Sequence, residues 1–528
     1  MANDLYNTPP EELDAFVAQE LQPDRAWRKE LKHVFLRMKE FFQKECFKDY
    51  SIQGKEVEVI KVVKGGSFSK GTDLKHTSDM DMLLFLSCFS SYKDQYKFRG
   101  DIIEFMKEKL ENCQESKAHG ITNISEQNST KGPPRSLNFD VQSERGAEQI
   151  HMSVLPVFNA LGERNPLSSE FTVHHEVYAK LKKSRSYPGE FTPSFSELQR
   201  NFLKHHPTKV KSLLRLVKHW YRKYVREKYP RRYLPPEYSL ELLTIYAWET
   251  GTQKAENFSL AKGLVTVMKL LKDYNKIFIY WTNYYKLKGP IKHFVKMHMK
   301  ESRPFILDPA DPTNNVGKGS RWKPVAKEAS NCLNQPCSQI SSWKIKGARN
   351  ICVTLKCSSL WELEYSVNPY DPIQNIKKEI ERVKNIPITD QQLSFQEAKR
   401  KTKVLMGDST LAEYKVFHPI KIQVLVATST KCRIHVRFPD NFCRSYLLQR
   451  NDNILSVKQK IRKQEGSRVM DQVLRFKGQF LWDKKRLRYF DIKNGDTLEL
   501  ELITRKQKKK LKTKKEKKML KGKMGPLP

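Results

Sequence analysis

Two aspartates follow a glycine-serine turn, and their spacing would let both carboxylates bind the same metal site. Asp79 and Asp81 stand twelve and fourteen residues after Ser67, the last residue of the Gly-Gly-Ser turn at 65–67, and they lead into the apolar run 82–86. On a strand, residues i and i+2 face the same side, so both carboxylates could hold Mg²⁺ against a triphosphate. The turn lets backbone N–H groups approach phosphates closely. These residue types at this spacing predict a metal-dependent nucleotidyl-transfer site.

A third carboxylate normally completes such a site from a neighbouring strand. The candidate strand is 151–156, and it carries Ser153 where the third ligand belongs. A serine hydroxyl is neutral at pH 7 and a poor magnesium ligand, so catalysis is expected to be weak or lost. Asp140 lies on the predicted partner strand, 137–142. It either replaces the missing group or stands as an edge-strand carboxylate that faces water.

Composition limits the class of protein. The chain has 528 residues and a formal net charge of +38, so it has room for three or four domains of ~150 residues each. Such basicity is typical of polyanion binders, with nucleic acid first and an acidic membrane surface second. The nine cysteines are scattered, and we find neither an N-terminal apolar signal nor an 18-residue apolar run. These features predict a reduced intracellular compartment.

Four of the cysteines permit a zinc site by spacing alone. Cys332 and Cys337 are five positions apart, as are Cys352 and Cys357. The segment 351–357 reads as a strand, however, and residues five apart on a strand point to opposite faces. The strand pattern therefore argues against a four-thiolate site.

Apolar periodicity predicts the elements around the two aspartates. The spacing predicts helices over 12–48 and 100–114, a strand over 57–63 that feeds the turn, and an antiparallel pair formed by 137–142 and 149–157. A mostly helical region then covers 195–290, followed by a looser segment at 300–345.

A row of basic residues follows one face of two predicted helices. The row consists of Arg200, Lys204, Lys211, Arg215, Lys218 and Arg222, with Pro207 at the start of the second helix. The row is either an ordinary solvated face or a contact for phosphates of a nucleic acid or a nucleotide. Because we find no sequence-reading module, double-stranded RNA recognised by shape is the predicted ligand.

The sequence after residue 350 contains a repeat. The segments 351–426 and 432–502 each begin with a strand hairpin, continue with a short amphipathic helix, and then carry Asp-Gln and a further strand. This is the β-grasp plan, and both copies resemble ubiquitin. The tail 505–523 holds twelve basic residues and one acid, so it is predicted to be disordered. The tail either adds nonspecific RNA affinity or serves as a nuclear address.

A specific family resemblance accompanies these patterns. The chain resembles the 2′-5′-oligoadenylate synthase family at residues 62–67, 83–89, 154–156, 195–203, 207–220, 242–249 and 306–315. The two ubiquitin-like repeats are similar to those of the oligoadenylate-synthase-like subgroup. The implied fold is α+β: a polymerase-beta-like nucleotidyltransferase domain with a helical C-lobe (1–345), β-grasp ubiquitin-like domains (350–428 and 431–503) and a disordered basic tail (504–528).

The resemblance implies an interferon-induced antiviral role in the cytoplasm, with the nucleus or nucleolus as further locations. Double-stranded RNA would bind a basic groove and reshape the active site. ATP would then be joined into 2′-5′-linked oligoadenylates, which activate a latent ribonuclease. The repeats would bind signalling proteins, and no membrane partner is expected.

The two repeats depart from ubiquitin at two places. Because the chain continues past Leu502 without a Gly-Gly end, conjugation is not expected, and Arg475 stands where ubiquitin has the central isoleucine of its docking patch.

The resemblance also assigns roles by position. The implied magnesium ligands are Asp79 and Asp81; the implied ATP contacts are Gly66, Ser67, Arg215, Lys218 and Tyr238; and the implied RNA contacts are Lys64, Arg200, Lys204, Thr208 and Lys209. Two positions depart from active members: Ser153, and Glu237 where glutamine is usual. Three interpretations stay open: an RNA-binding protein with weak or lost catalysis, an active synthase that tolerates Ser153 or uses Asp140, and a ubiquitin-like scaffold on an inert platform.

Overall fold

The computed structural model describes residues 4–75, 79–113, 120–127, 132–143, 149–162, 175–184, 189–282, 284–285, 300–358, 360–396, 402–426, 432–449, 452–493 and 495–503. Its contacts divide the chain into two compact units. Unit 1 extends to Ile351 and adds Ser366–Asp371 and Thr410–His418, and unit 2 holds the remainder.

Unit 1 combines one large sheet with many helices. Its α-helices are α1 (Leu13–Phe16), α2 (Arg25–Glu40), α3 (Gly66–Lys70), α4 (Tyr92–Asn112), α5 (His175–Lys183), α6 (Ser196–Lys204), α7 (Thr208–Trp220), α8 (Glu237–Thr252), α9 (Leu260–Lys272) and α10 (Trp322–Cys332). Its strands are β1 (Ser51–Ile52), β2 (Lys55–Glu56), β3 (Val59–Lys64), β4 (Asp79–Leu86), β5 (Ile121–Glu126), β6 (Leu137–Gln142), β7 (Gln149–Val157), β8 (Phe278–Ile279) and β9 (Phe305–Ile306). After α7 the chain continues as a π-helical turn over Tyr221–Arg226.

The large sheet places the acidic strand next to the strand that carries the serine. Its order is β3-β4-β7-β6-β5, and β4 runs parallel to β7. Alternate residues of β4, among them Met80 and Met82, are buried in an apolar core shared with α2 and α4. Because side chains alternate along a strand, Asp79 and Asp81 lie on the opposite face from Met80 and Met82.

Most predicted elements of unit 1 are present. The antiparallel pair has the predicted bounds, as β6 and β7. The helix predicted at 100–114 begins eight residues earlier, because Ser91 accepts a hydrogen bond from the N–H of Asp94 and so caps it at Tyr92. The looser segment expected at 300–345 was wrong in part, since α10 lies within it. Pro324 is tolerated there because it falls in the first turn.

Unit 2 contains the second predicted β-grasp repeat and most of the first. The first has β10 (Ile351–Cys357), β11 (Trp361–Val367), α11 (Ile373–Lys384), β12 (Gln391–Phe395), β13 (Lys403–Leu405) and β14 (Ile420–Val426). The second has β15 (Cys432–Arg437), β16 (Cys443–Leu448), α12 (Ile454–Glu465), β17 (Gln472–Phe476), β18 (Gln479–Phe480) and β19 (Thr497–Leu502). The sheet orders are β11-β10-β14-β12-β13 and β16-β15-β19-β17-β18, so both repeats share one topology.

Details of unit 2 bear on the sequence arguments. Cys352 is exposed and Cys357 is buried on β10, as the strand geometry required. Arg475 pairs through Nε with Glu501 Oε1 at 3.0 Å. The lysine-rich tail after residue 503 lies outside the described residues, so its predicted disorder stays a prediction. Within the described part of the chain, every helix is too short or too polar to cross a bilayer.

Candidate active site and nucleic-acid interface

The two aspartates lie beside the glycine turn. Asp81 is partly enclosed, because Gly65 donates its N–H to the Asp81 carbonyl at 2.8 Å and Gly66 packs on the carboxylate. A Cβ at Gly66 would come within 2.6 Å of Asp81 Oδ2, and Gly66 has a φ of +59°. Both facts demand glycine at this position. Burial raises the pKa of Asp81, against the opposing effect of nearby Lys70.

Ser153 lies directly beside Asp81 in the sheet. The register pairs Asp81 with Ser153 and Asp79 with His151. The serine thus stands on the strand and in the row where the third carboxylate was expected, on the same face as both aspartates.

Asp140 faces the same side of the sheet but is engaged elsewhere. It lies opposite His151 on β6, so β7 separates it from the aspartates on β4, and two strand spacings amount to about 10 Å. Its Oδ1 is 2.8 Å from His151 Nδ1, and its Oδ2 accepts from Asn123 Nδ2 at 2.7 Å. The expectation of an edge strand was wrong, because β5 covers the outer side of β6, and Asp140 is partly exposed. Its position and contacts speak against a substitute ligand.

An arginine binds the outer aspartate. Arg222, in the π-helical turn after α7, places Nη2 3.1 Å from Asp79 Oδ2. The same guanidinium holds Glu237 with two hydrogen bonds, of 2.8 Å from Nε and 3.0 Å from Nη2. The negative charge that the sequence introduces at Glu237 is therefore matched by a protein cation.

A second ion-pair group lies deeper, on α3, α7 and α8. Lys70 Nζ is 2.8 Å from Glu241 Oε2, and Lys218 Nζ is 3.6 Å from Glu241 Oε1. Burial pushes the pKa of Glu241 upward, but the two lysines outweigh burial and lower it. Lys70 also lies over the Tyr238 ring, 4.4 Å from its centroid. The implied ATP contacts Lys218 and Tyr238 thus meet in one cluster.

Arg215 and Lys218 support the loop that follows α3. Arg215 donates to the carbonyls of Gly71 and Asp73 at 2.6 and 2.9 Å, and Lys218 donates to that of Thr72 at 3.0 Å. Both side chains are almost fully buried. The interpretation of the whole basic row as a solvated face was therefore wrong, because the part on α7 packs against this loop. Ser67, on the first turn of α3, accepts the N–H of Thr72 at its carbonyl.

The residues at the aspartates do not fit a two-metal site. The third position is a hydroxyl, and Arg222 already holds Asp79. Within the described ranges, no group of three or more His, Cys, Asp or Glu side chains is arranged to hold a metal ion.

The implied RNA contacts and two lysines near them, Lys32 and Lys211, make up a basic group of residues in unit 1. We call it the basic face and define it by Lys32, Lys64, Arg200, Lys204, Thr208, Lys209 and Lys211, which come from α2, β3, α6 and α7. Burial lowers the pKa of Lys64, and the nearby charges of Lys32 and Arg200 lower it further. The Arg200 Nε is buried and meets no hydrogen-bond partner among the described residues. Lys209 differs from these, since Asp14 pairs with it at 3.1 Å.

Helix α6 links the basic face to the carboxylate cluster. Gln199, next to Arg200, donates to Asp308 Oδ2 at 2.7 Å. Tyr238 donates to the other oxygen of the same carboxylate at 3.1 Å. Asp308 is fully buried, and burial raises its pKa to about 6. One buried acid therefore connects the helix of the basic face with the helix that carries Glu237 and Glu241.

Sequence reasoning missed several of these partners. Lys70 and Glu241 were not singled out, and Arg222 was placed in the phosphate-binding row and not at Asp79. Lys32 was missed on the basic face. A usable signal existed for α8, since Glu237 and Glu241 are i and i+4 on a helix whose segment 240–248 is otherwise almost all apolar.

Three family models match the chain. The model described as 2′-5′-oligoadenylate synthetase 1, domain 2, C-terminus matches residues 171–351. A nucleotidyltransferase domain model matches residues 44–116. The ubiquitin family model matches twice, at 353–429 and 434–505.

Curated relatives match across nearly the whole chain. The 2′-5′-oligoadenylate synthase-like protein 2 of Mus musculus is 42% identical over 503 residues, covering 94% of this chain and 98% of the relative. The 2′-5′-oligoadenylate synthase-like protein 1 of Mus musculus is 41% identical, covering 96% and 98%. The 2′-5′-oligoadenylate synthase 1A of Rattus norvegicus is 40% identical over 358 residues, which cover 65% of this chain and 97% of the relative. With its nucleotidyltransferase domain and two ubiquitin-like domains, the chain belongs to the 2′-5′-oligoadenylate synthase-like family.

Proposed function

We propose that the chain is an antiviral protein that binds double-stranded RNA and in which nucleotidyl transfer is weak or lost. Interferon induction and a cytoplasmic site of action belong to this proposal through the family. The tandem ubiquitin-like domains would bind signalling proteins.

The observation that carries the proposal is the basic face. Cations from four elements meet there, and burial, followed by the nearby charges of Lys32 and Arg200, lowers the pKa of Lys64. Such a concentration of like charge is unfavourable in the free protein and is relieved when phosphates bind. The buried and unpaired Nε of Arg200 adds a donor that a phosphate oxygen could satisfy.

Loss of catalysis is supported by the carboxylate row. Ser153 stands beside Asp81, and Asp140 is held by His151 and Asn123. A general base and a third metal ligand are therefore both missing from the position where transfer chemistry needs them.

The alternative is an active synthase that makes 2′-5′-linked oligoadenylates from ATP and so activates a latent ribonuclease. The link from α6 through Asp308 to Tyr238 favours this alternative, because it would let RNA binding reshape the nucleotide cluster. Mg²⁺ would be the cofactor in this alternative, and also if the chain binds ATP without transferring it.

The RNA proposal is tested with a charge reversal on α6. The Arg200→Glu, Lys204→Glu double variant is expected to bind double-stranded RNA at least ~100-fold more weakly, since two phosphate contacts become repulsions. The matched control is Lys323→Glu with Lys327→Glu, two exposed lysines with the same i, i+4 spacing on α10. Equal RNA affinity in both double variants would favour the scaffold interpretation.

The state of catalysis is tested by incubating the native chain with Mg²⁺, ATP and double-stranded RNA and separating the products by chromatography. We expect no 2′-5′-linked product. RNA-dependent product would support the synthase alternative, and its loss in Asp140→Asn would identify Asp140 as the substitute carboxylate.

A further inference from the structure

Arg222 joins two acids that come from distant parts of unit 1. Its Nη2 is 3.1 Å from Asp79 Oδ2 on β4 and 3.0 Å from Glu237 Oε2 on α8, so a single nitrogen bridges both carboxylates. Its Nε makes a further hydrogen bond of 2.8 Å to Glu237. Arginine is always charged in proteins, so these contacts hold a cation between the two carboxylates.

The bridging position has the electrostatics of a metal position. A divalent ion bound at this position would also place positive charge between Asp79 and another acid. A guanidinium supplies only one positive charge and has no empty orbital, so it neutralises the carboxylate without activating water or phosphate. It also occupies Asp79 Oδ2, the oxygen 3.1 Å from its Nη2, with a hydrogen bond.

We propose that Arg222 replaces the divalent cation at Asp79 and that Glu237 positions it there. We call the site formed by Asp79, Asp81, Glu237 and Glu241 the carboxylate cleft. This cleft is then disabled at two points, the hydroxyl at Ser153 and the guanidinium on Asp79. Restoring the third carboxylate alone leaves the metal position occupied. This inference rests on the proposed loss of catalysis at the same site, and it concerns metal binding and not RNA binding.

The neighbouring Arg226 provides the contrast. Its Nε lies 3.9 Å from Glu237 Oε1, and its guanidinium packs over the Tyr221 ring, whereas only Arg222 reaches Asp79 among the ion pairs of the described residues. Removing Arg226 therefore changes the charge near the cleft by the same amount but leaves the Asp79 oxygen covered.

The test measures binding of Mn²⁺ alone, by the electron paramagnetic resonance signal of the free ion, in the full-length protein. Ser153→Asp is expected to change the Mn²⁺ affinity by no more than about twofold. Ser153→Asp with Arg222→Gln is expected to bind Mn²⁺ about tenfold or more tightly than Ser153→Asp, because a unit positive charge about 4 Å from the ion is removed. Ser153→Asp with Arg226→Gln should match Ser153→Asp.

Two further arms keep the outcome decisive. Ser153→Asp with Arg222→Lys retains the charge and should show little of the gain, so a general loosening of the fold is distinguished from charge replacement. The proposal is overturned if Ser153→Asp alone binds Mn²⁺ as tightly as the combined variant, or if Arg226→Gln gives the same gain. The affinity for double-stranded RNA, measured on each variant, should equal that of the native chain. If the native chain itself does not bind RNA, the proposed function is wrong, and the metal result still stands.

Discussion

The carboxylate cleft and the basic face treat charge in opposite ways. In the cleft, Asp79 and Glu237 share Arg222, and Glu241 shares Lys70 and Lys218. On the basic face, Lys64 is crowded by other cations, and Lys209 is the member that an ion pair joins to an acid. Internal pairing keeps a site closed to outside ions, whereas uncompensated charge attracts them. Under the proposed function, the working surface of unit 1 is the basic face and not the cleft.

The largest expected effect comes from breaking the pairing in the cleft. Glu241→Gln leaves Lys70 and Lys218 buried without their acid, and breaking a buried pair in this way costs about 3–5 kcal/mol of unfolding free energy. Chemical denaturation followed by circular dichroism measures it. Glu40→Gln serves as the control, since Glu40 and its partner Lys44 both lie in water and the midpoint should hardly move. Equal midpoints for the two variants would remove the contrast.

The next effect concerns a group on α7 that must stay uncharged. Burial, together with Lys223, lowers the pKa of His219 to about 4, against a smaller opposing effect of Asp4. At this position the unfolded chain therefore binds more protons below about pH 6.5, so the contribution of neutral His219 to stability falls as pH drops from there to about 4, by up to ~3 kcal/mol. Asp308, whose pKa burial raises to about 6, changes stability in the opposite direction in this window.

Relative to the native chain, the stability of His219→Phe should fall less as pH drops through that window, because a phenyl ring keeps the edge contact with Phe16 and has no proton to gain. The measurement is the denaturation midpoint at pH 7, 6, 5 and 4.5 for both chains. Parallel profiles would show that other groups cause the loss. Asp4, with its lowered pKa, contributes mainly below this window.

A smaller effect sharpens the description of the basic face. Lys32→Gln should weaken binding of double-stranded RNA by a similar factor for all RNA sequences, and it should reduce the salt slope of log K by about one. Filter binding or anisotropy across several salt concentrations checks both. Lys323→Gln, on α10, is the control and should leave the slope unchanged. An unchanged slope in Lys32→Gln would remove α2 from the RNA surface.

The smallest expected effect is a gain in RNA affinity and not a loss. Asp14 pairs with Lys209 at 3.1 Å, so Asp14→Asn frees a cation on the basic face. We expect RNA to bind a few-fold more tightly at low salt, with the gain fading as salt screens the surface. The same titration at two ionic strengths measures it. Weaker binding in this variant would mean that the pair orients Lys209 for RNA.

Local patterns in the sequence predicted much of this molecule, and the reason is physical. The i, i+2 spacing of Asp79 and Asp81 fixes a common face on any strand, and the β6–β7 pair and both β-grasp repeats follow from alternation and turn residues. The register also places Ser153 beside Asp81, as the argument for weak catalysis required.

Such local patterns cannot predict contacts between residues that are far apart in the sequence. Arg222 lies 143 positions from Asp79, and Lys70 lies 171 from Glu241. The charge period on α7 correctly put Arg215 and Lys218 on one face, but it carries no information on what that face meets. Here the face meets the carbonyls of residues 71–73, so the side chains are buried.

The basic face also has a place in the order of synthesis. It draws on α2 near the start of the chain, on the end of β3, and on α6 and α7 near residues 200–211. While the ribosome is still making the middle of unit 1, the early lysines have no later partners beside them. The basic face is therefore complete only after α7 has emerged and packed. Under the proposed function, a nascent or truncated chain that ends before α6 should not bind the RNA that surrounds it during translation.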